Sequence, residues 1–584
     1  MAMAQRRNWR AAQARFLNRL HARLAARAKP AAGFVSQPEP RTIGYFARGR
    51  QMLAGNLMFA GHLVQAEGRT IWQIPAPDAA FAEQVQGFGW LDDLAAVGDA
   101  QARKLAQDWL WAWIDRYGDG RGPGWTPELT GRRVIRWVQH ALFLLRGRSP
   151  EQSTAFYRAL AAQTQFLARR GASAAPGLPR FEAMTGLLYA GLSIDGMEGH
   201  IEPARQALGR ECAAQIDDQG GIPTRNPEEL LEVFTLLTWA QMALEEGHRQ
   251  PTEPHLTAIR RIAPTLRSLR HADGGLARFH GGGRGLDGRL DQALAASGVK
   301  RKKAEGLAMG FARLSAGRTS VIIDAATPPK GVASANAHAS TLAFELTSGR
   351  RPLIVSCGSG GGFGEDWRRA GRATLSHSTL CLQGRSSASL APSRPVGMAD
   401  RELLEDAPTH VPHQISGLAQ GTRFEGGHDG YVADHGLTHA RSLELSLDGR
   451  QIKGEDYLVA LDAAAKKRFD RAMDKIKLAG IAYEIRFHLH PDVDVTLDMG
   501  GLAVSMALRS GEIWVFRMDG PVEMTLQPSV YLEKGRLRPR ATTQVVLTGR
   551  AMQYATRVRW TLAKAQETAI AIRDLAREEA DLTV

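Results

Sequence analysis

The chain has 584 residues, more than one small core can organise, so two or more domains are expected. With 44% hydrophobic and 23% charged residues its composition is globular; no apolar run reaches the roughly 20 residues that cross a bilayer as a helix, and three cysteines argue against a disulfide framework. The formal charge of +14 suits an anionic partner, whether acidic polysaccharide, nucleic acid or anionic lipid, unless it is simply a basic surface.

The first thirty residues, "MAMAQRRNWRAAQARFLNRLHARLAARAKP", hold eight lysines and arginines and no acidic residue. Trp9, Phe16, Leu20 and Leu24 fall near helical spacing, with Arg6, Arg10, Arg19, Arg23 and Arg27 over the remaining surface. The pattern predicts a basic amphipathic helix ending near Pro30, followed by a linker to residue 42. It lacks the apolar stretch and small-residue cleavage site of a secretory signal. Such a helix either lies on anionic lipid or docks on the main body with its charges solvated.

Residues 43–280 read as serial helices. "ARKLAQDWLWAWIDRYG" and "GRRVIRWVQHALFLLRG" each carry an apolar stripe, arginines and a terminal glycine. "RFEAMTGLLYAGLSIDG", "PEELLEVFTLLTWAQMALEEG" and "PHLTAIRRIAPTLRSLRH" follow, and Pro227 sits at a helix start behind Asn226 as its cap. Helices joined by short loops suggest antiparallel pairs, as in an α/α toroid. Seven of the twelve tryptophans lie between Trp72 and Trp137, either as core or as a face on which sugar rings stack. Residues 281–305, rich in Gly, Lys and Arg, read as a connection. The "HGGG" within it lacks the G-x-S-x-G elbow that an esterase would need.

From residue 306 to 562 the signal is β. "RTSVIIDA", "TLAFELTSG", "RPLIVSCG" and "HSTLCLQG" are short runs between turn residues. In "RSLELSLDGRQIKGEDYLV" leucines alternate with polar residues around an Asp448-Gly449 turn. Many short strands at this spacing predict an antiparallel β-sandwich, and residues 563–584 predict a closing helix.

A helical domain before a sandwich, with a basic bias, resembles the heparinase II/III-like polysaccharide lyases over about residues 43–560. The likeness is most specific in the β region. Where the family has a His-x-His-x-Asp stretch, a Gly-Arg hairpin, an Asp-x-Gly ending and a later Thr-x-x-His-Asn/Ser-Thr, this chain has Asn336-Ala-His338-Ala-Ser340, Gly349-Arg350, Ser356-Cys357-Gly358 and Thr374-Leu-Ser-His377-Ser378-Thr379. "LPRFEAMTGLLYAGL" and "DDQGGIPTRNPEELLE" are similar to a bacterial branch of the group.

The resemblance implies β-elimination on a uronate-containing polysaccharide. The sugar carboxylate is neutralised, a Tyr or His removes the C5 proton, and an acid protonates the leaving oxygen. It implies zinc held by His, Asp and His on the sandwich side. His338 and His377 fall at two ligand positions, Asn336 where the family often has a catalytic His, and Ser356 near the ligand Asp, so any zinc shell is incomplete; Cys357 beside it could ligate as thiolate but points to the opposite face. His338, His377 and Asn336 are catalytic candidates, the two histidines being zinc ligands, catalytic groups without metal or purely structural. On the toroid side the family's Asn-His pair and Tyr are missing. Arg180, Glu182, Arg225 and Asn226 are the polar residues there, with Arg180 a catalytic candidate and Arg180, Arg225 and Asn226 substrate-binding candidates, unless the arginines simply pair with Glu182 or Glu228. His488 and His490, sharing one strand face with Arg486, form a second cluster. Two readings follow: a lyase with a divergent catalytic set, or an acidic-glycan-binding protein on the same scaffold. No motif supports nucleic-acid binding. The resemblance implies the cell envelope or periplasm, and the missing signal leaves the cytoplasm open.

Overall fold

The computed structural model describes residues 2–300, 306–396 and 399–565. An α/α toroid is followed by an antiparallel β-sandwich. Of the closing helix expected over 563–584, residues 563 and 564 belong to strand Ala555–Lys564, and 566–584 lie outside the described residues, as does the basic run through 301–305. No helix among the described residues is long and apolar enough to cross a membrane.

The toroid helices start where capping chemistry places them. Thr126 precedes Pro127, Ser149 and Gln152 form a reciprocal capping box ahead of Pro150–Arg170, and Asn226 Oδ1 accepts from the amides of Glu228 and Glu229 ahead of Pro227–Glu246. The tryptophans between Trp72 and Trp137 form a core of edge-on and stacked rings rather than a sugar platform, with Trp90, Trp113 and Trp137 fully buried. Helices Pro127–Gln139 and Leu178–Ser193 cross unusually closely. A Cβ on Gly131 would lie 2.2 Å from the Glu182 carbonyl oxygen, and one on Gly186 would lie 2.5 Å from the Gly131 Cα. Two glycines therefore bring Arg132 beside Glu182.

The first helix, Ala2–Ala25, packs on Pro150–Arg170 through Ala22 and Ala25, and Arg170 Nε donates to Asn18 Oδ1 at 2.8 Å. Trp9, Phe16, Leu20 and Leu24 stay exposed. Docking and an exposed apolar stripe thus coexist on one helix.

The sandwich has two eight-stranded sheets. One runs from Glu523–Tyr531 through Arg540–Ala551 and Ile481–Leu489 to Phe311–Ala316; the other runs from His413–Leu418 to Val493–Asp498. Leu437–Ser446 alternates buried and half-buried residues and pairs with Gln451–Val459 across a turn in which Gly449 has φ 67°. The stretch expected as a loose connection is packed. Within it "RLDQALAA" forms helix Arg289–Ala296 with Leu290 and Ala293 inside, and just before it Leu276, Ala277 and Phe279 are buried. The toroid core continues through this stretch to Phe311, Ile322 and Ala343 of the sandwich. The two domains also touch at the tip of hairpin Asn56–Gln65, where a Cβ on Gly61 would meet the Gly362 carbonyl oxygen at 1.9 Å.

Candidate functional site

Between these contacts lies a cleft of about 1230 Å³. Its toroid wall includes Asp92, Asp93, Arg132, Glu182 and Glu232. Its sandwich wall includes Asn336, His338, Arg368, Arg372, Arg509 and Arg540. Two glycine runs, 281–283 and 358–362, bring backbone to its edge.

His338 and His377 come together. Their ring centroids are 5.0 Å apart and both residues are buried, with His338 on the cleft lining. Neither ring nitrogen of His338 has a partner. Burial, reinforced by His377 and His280, pushes the His338 pKa well below its ordinary value, so the ring is neutral. His377 is pushed down to about 3 by burial and by His488. Its Nδ1 shares a hydrogen bond with Ser356 Oγ at 3.0 Å, and its Nε2 has no partner.

Behind this pair stands a network that sequence reasoning missed. His280, leading the glycine run, places its ring 6.2 Å from His338, and its Nδ1 accepts from the His338 amide at 3.2 Å. Its Nε2 lies 3.4 Å from Asp324 Oδ2, to which Ser340 Oγ donates at 2.7 Å. Ser340, at an acidic position of the family pattern, thus serves a carboxylate that strand Thr319–Asp324 brings in. The signals were faint: a His before "GGG" and an Asp ending an apolar strand.

The implied zinc shell is not met. Ser356 occupies the expected carboxylate position, and among the described residues no group of three or more His, Cys, Asp or Glu side chains converges as for a metal ion. Cys357 lies on the opposite face, its Sγ 3.5 Å from His488 Nδ1, and burial raises its pKa. His488, pushed down to about 4 by burial, shares hydrogen bonds with Ser529 Oγ and the Leu375 carbonyl. That second cluster is internal.

Three toroid expectations require correction. Arg180 is turned into an ion pair with Glu211 at 2.9 Å and donates twice to the Ala174 carbonyl, away from the cleft lining. Arg225, with φ 51°, donates to the carbonyls of Met309, Gly310, Ala326 and Thr327 and to Asp324 Oδ1 at 2.6 Å. Its guanidinium is consumed in joining the domains. Asn226 is the helix cap, its side-chain oxygen occupied by two amides. Glu182 pairs with neither Arg180 nor Arg225 but with Arg132 at 2.6 Å, and Glu228 pairs with Lys534. Asn336 does line the cleft, one residue beyond Ala335 and two before His338.

Arg372 is the least expected member. Its guanidinium donates to three carbonyls, those of Ala337, Glu402 and Ser334, at 2.8–2.9 Å. Burial and the neighbouring Arg368 draw its pKa down to about 10, leaving a buried cation beside Asn336 and His338. Two tyrosines, Tyr45 and Tyr531, also reach the lining. Tyr189, the nearest tyrosine in sequence to the toroid candidates, is core, hydrogen-bonded to the Trp239 carbonyl.

The heparinase II/III-like C-terminal domain model matches residues 298–561. FtsZ-localized protein C of Caulobacter vibrioides is 30% identical over 554 residues, covering 91% of each chain. The crystal structure of heparinase III superposes with a TM-score of 0.65 at 13% identity, covering 90% of this chain and 85% of that one. A mutant of the heparan sulfate lyase HepC from Pedobacter heparinus superposes at 0.56 and 15% identity, covering 95% and 88%. At such identities the two structures establish a shared toroid-and-sandwich fold. With the matching domain model, and a relative aligned over nearly its whole length, the chain belongs to the heparinase II/III-like family.

Proposed function

We propose that this protein binds an acidic polysaccharide in the cleft between toroid and sandwich. The observation that carries this is Arg372: a buried guanidinium at the cleft wall whose hydrogen bonds go to carbonyls rather than to a carboxylate. A sugar carboxylate seated near Asn336 would compensate that charge, and beside a buried guanidinium the attraction is less screened than in bulk water. HepC is described as a heparan sulfate lyase, and we extend to this chain the substrate class rather than the reaction.

Elimination is the second reading, and His338 favours it. A neutral imidazole on the cleft lining with both nitrogens unpartnered has the form a general base requires. Titrating a panel of acidic and neutral polysaccharides by calorimetry, while following the ultraviolet absorbance of unsaturated uronate, separates the two. Binding of acidic chains without new absorbance supports recognition, and rising absorbance supports the lyase. If no acidic polysaccharide binds, both readings fail.

We also assign the N-terminal helix a second contact, with an anionic membrane surface. Its inner face is already docked, yet Trp9 and Phe16 remain 66% and 63% exposed in a segment rich in arginine. Co-sedimentation with vesicles containing anionic lipid, but not with neutral vesicles, is the expected result. Equal pelleting of a Trp9→Ala/Phe16→Ala variant would refute the assignment.

A further inference from the structure

We infer that the polysaccharide carries a free primary amine, on an amino sugar, as well as carboxylates, and that the amine is seated at Glu182. This rests on the acidic-glycan reading and adds the second charge.

Arginines line both sides of the cleft, Arg48, Arg132, Arg136 and Arg289 on the toroid wall and Arg368, Arg372, Arg509 and Arg540 on the sandwich wall, while the toroid wall also carries Asp92, Asp93, Glu182 and Glu232. Most of the toroid carboxylates are answered: Arg136 Nε donates to Asp92 at 2.9 Å and Arg289 pairs with Glu232. Glu182 is answered on one side. Its Oε1 takes the Arg132 Nε at 2.6 Å, but its Oε2 is buried without a partner, and the residue is more than nine-tenths buried on the cleft lining. Arg132 is itself shared with Glu83 at 3.3 Å, so its charge is divided between two carboxylates.

Arg132 is the cation hydrogen-bonded to Glu182, and two carboxylates, Glu128 and Glu232, act against it. Burial, against the opposing pull of Arg132 and with the help of Glu128 and Glu232, pushes the Glu182 carboxyl up to about 7. A group in that condition lacks a positive charge. A sugar hydroxyl would complete the hydrogen bond but not the charge; an ammonium does both. A ligand carboxylate at this point would be repelled, whereas across the cleft Arg372 attracts it. Glu182 and Arg372 therefore offer a bound chain opposite charges at two points of the cleft.

The test uses size-matched oligosaccharides of alternating glucuronate and glucosamine, one N-acetylated and one N-deacetylated, with a chitosan oligomer supplying amines without carboxylates. The N-deacetylated chain should bind the intact protein about tenfold tighter than its acetylated counterpart, the scale of one charge-assisted hydrogen bond. Chitosan should bind more weakly than the N-deacetylated chain. In Glu182→Gln, which keeps an acceptor for Arg132, the ratio should fall to within about twofold. Equal binding of both uronate chains by the intact protein overturns the amine assignment and leaves the acidic-glycan reading standing; this comparison needs no variant. Equal weakening of both chains by Glu182→Gln overturns it as well, pointing to a hydroxyl or to a packing role. Failure of every uronate chain to bind removes the underlying reading and this inference with it.

Discussion

Replacing Arg225 with alanine should damage the fold, not merely a binding surface. The side chain makes five hydrogen bonds, four to carbonyls and one to Asp324, and its guanidinium lies 4.7 Å from the Phe311 ring centroid. Asp324 is fully buried. Burial alone would raise its pKa, but Arg225, His280 and Ser340 outweigh that and hold it well below the carboxylate range. Removing one partner of a buried pair typically costs about 3–5 kcal/mol, and orphaned carbonyls add roughly 1 kcal/mol each where water cannot replace the donor. With one of the four carbonyls left without a replacement donor, an overall loss of about 4–6 kcal/mol is expected for Arg225→Ala, measured by urea denaturation followed through tryptophan fluorescence. Arg225→Gly should differ from Arg225→Ala by less than about 1 kcal/mol, because relief of the positive φ is opposed by the greater freedom glycine gives the unfolded chain. The pH dependence carries a sign. The folded pKa of Asp324 is depressed, so its contribution is present above the unfolded carboxylate value and lost as pH falls through the folded one. The gap between wild type and Arg225→Ala should therefore be full at pH 7 and narrow below about pH 4. A variant that unfolds within about 1 kcal/mol of wild type at pH 7, yet no longer binds acidic glycan, would refute this reasoning and restore Arg225 to the ligand.

Asp456→Ala should cost about 3–5 kcal/mol, because it strands the buried Arg441 and unpairs His439 and Trp560, with a change in near-ultraviolet circular dichroism as the check. Gly61→Val should cost about 2 kcal/mol or displace the hairpin tip, since φ is 84° and the Gly362 carbonyl fills the Cβ position; limited proteolysis within residues 56–65 should accelerate. Glu182 and Asp93 are pushed up to about 7 and about 6, both first by burial, so the native state holds their protons more tightly than the unfolded chain does. Unfolding free energy should consequently fall as pH rises from about 4.5 to 7, and Glu182→Gln should flatten that slope by on the order of 2–3 kcal/mol, measured across a pH series of denaturation curves.

The elements were legible because periodicity and caps are local. Asn226-Pro227 announces its helix, and the leucines of 443–447 announce their strand. The pair His338 and His377 was also legible, from a resemblance in the sequence around each. Arg180 and Arg225 were misplaced for a physical reason. An arginine in a basic chain looks available for an anion, and sequence does not reveal that Glu211 or Asp324 will claim it across 31 or 99 residues. Conversely Glu182, seen as a structural partner for a nearby arginine, owes its setting to the closeness of two helices. That closeness depends on Gly131 and Gly186, each of which looks like an ordinary helix-weakening residue in the sequence. Arg372 was invisible because its partners are carbonyls, which every residue has.

The core that runs from the toroid into Phe311, Ile322 and Ala343 has a consequence for how a ligand arrives. A jaw swings cheaply when only a thin tether joins its halves. Here rotation would tear apolar contacts at one end and lift the Gly61 tip from Gly362 at the other. Two separate joins between the domains would both have to give for the cleft to change its width. For the polysaccharide proposed above, girth then becomes a criterion of entry, with slender unbranched segments favoured over bulky ones. Little of the binding energy is spent on closing the protein, so even a modest set of contacts can hold a flexible polymer.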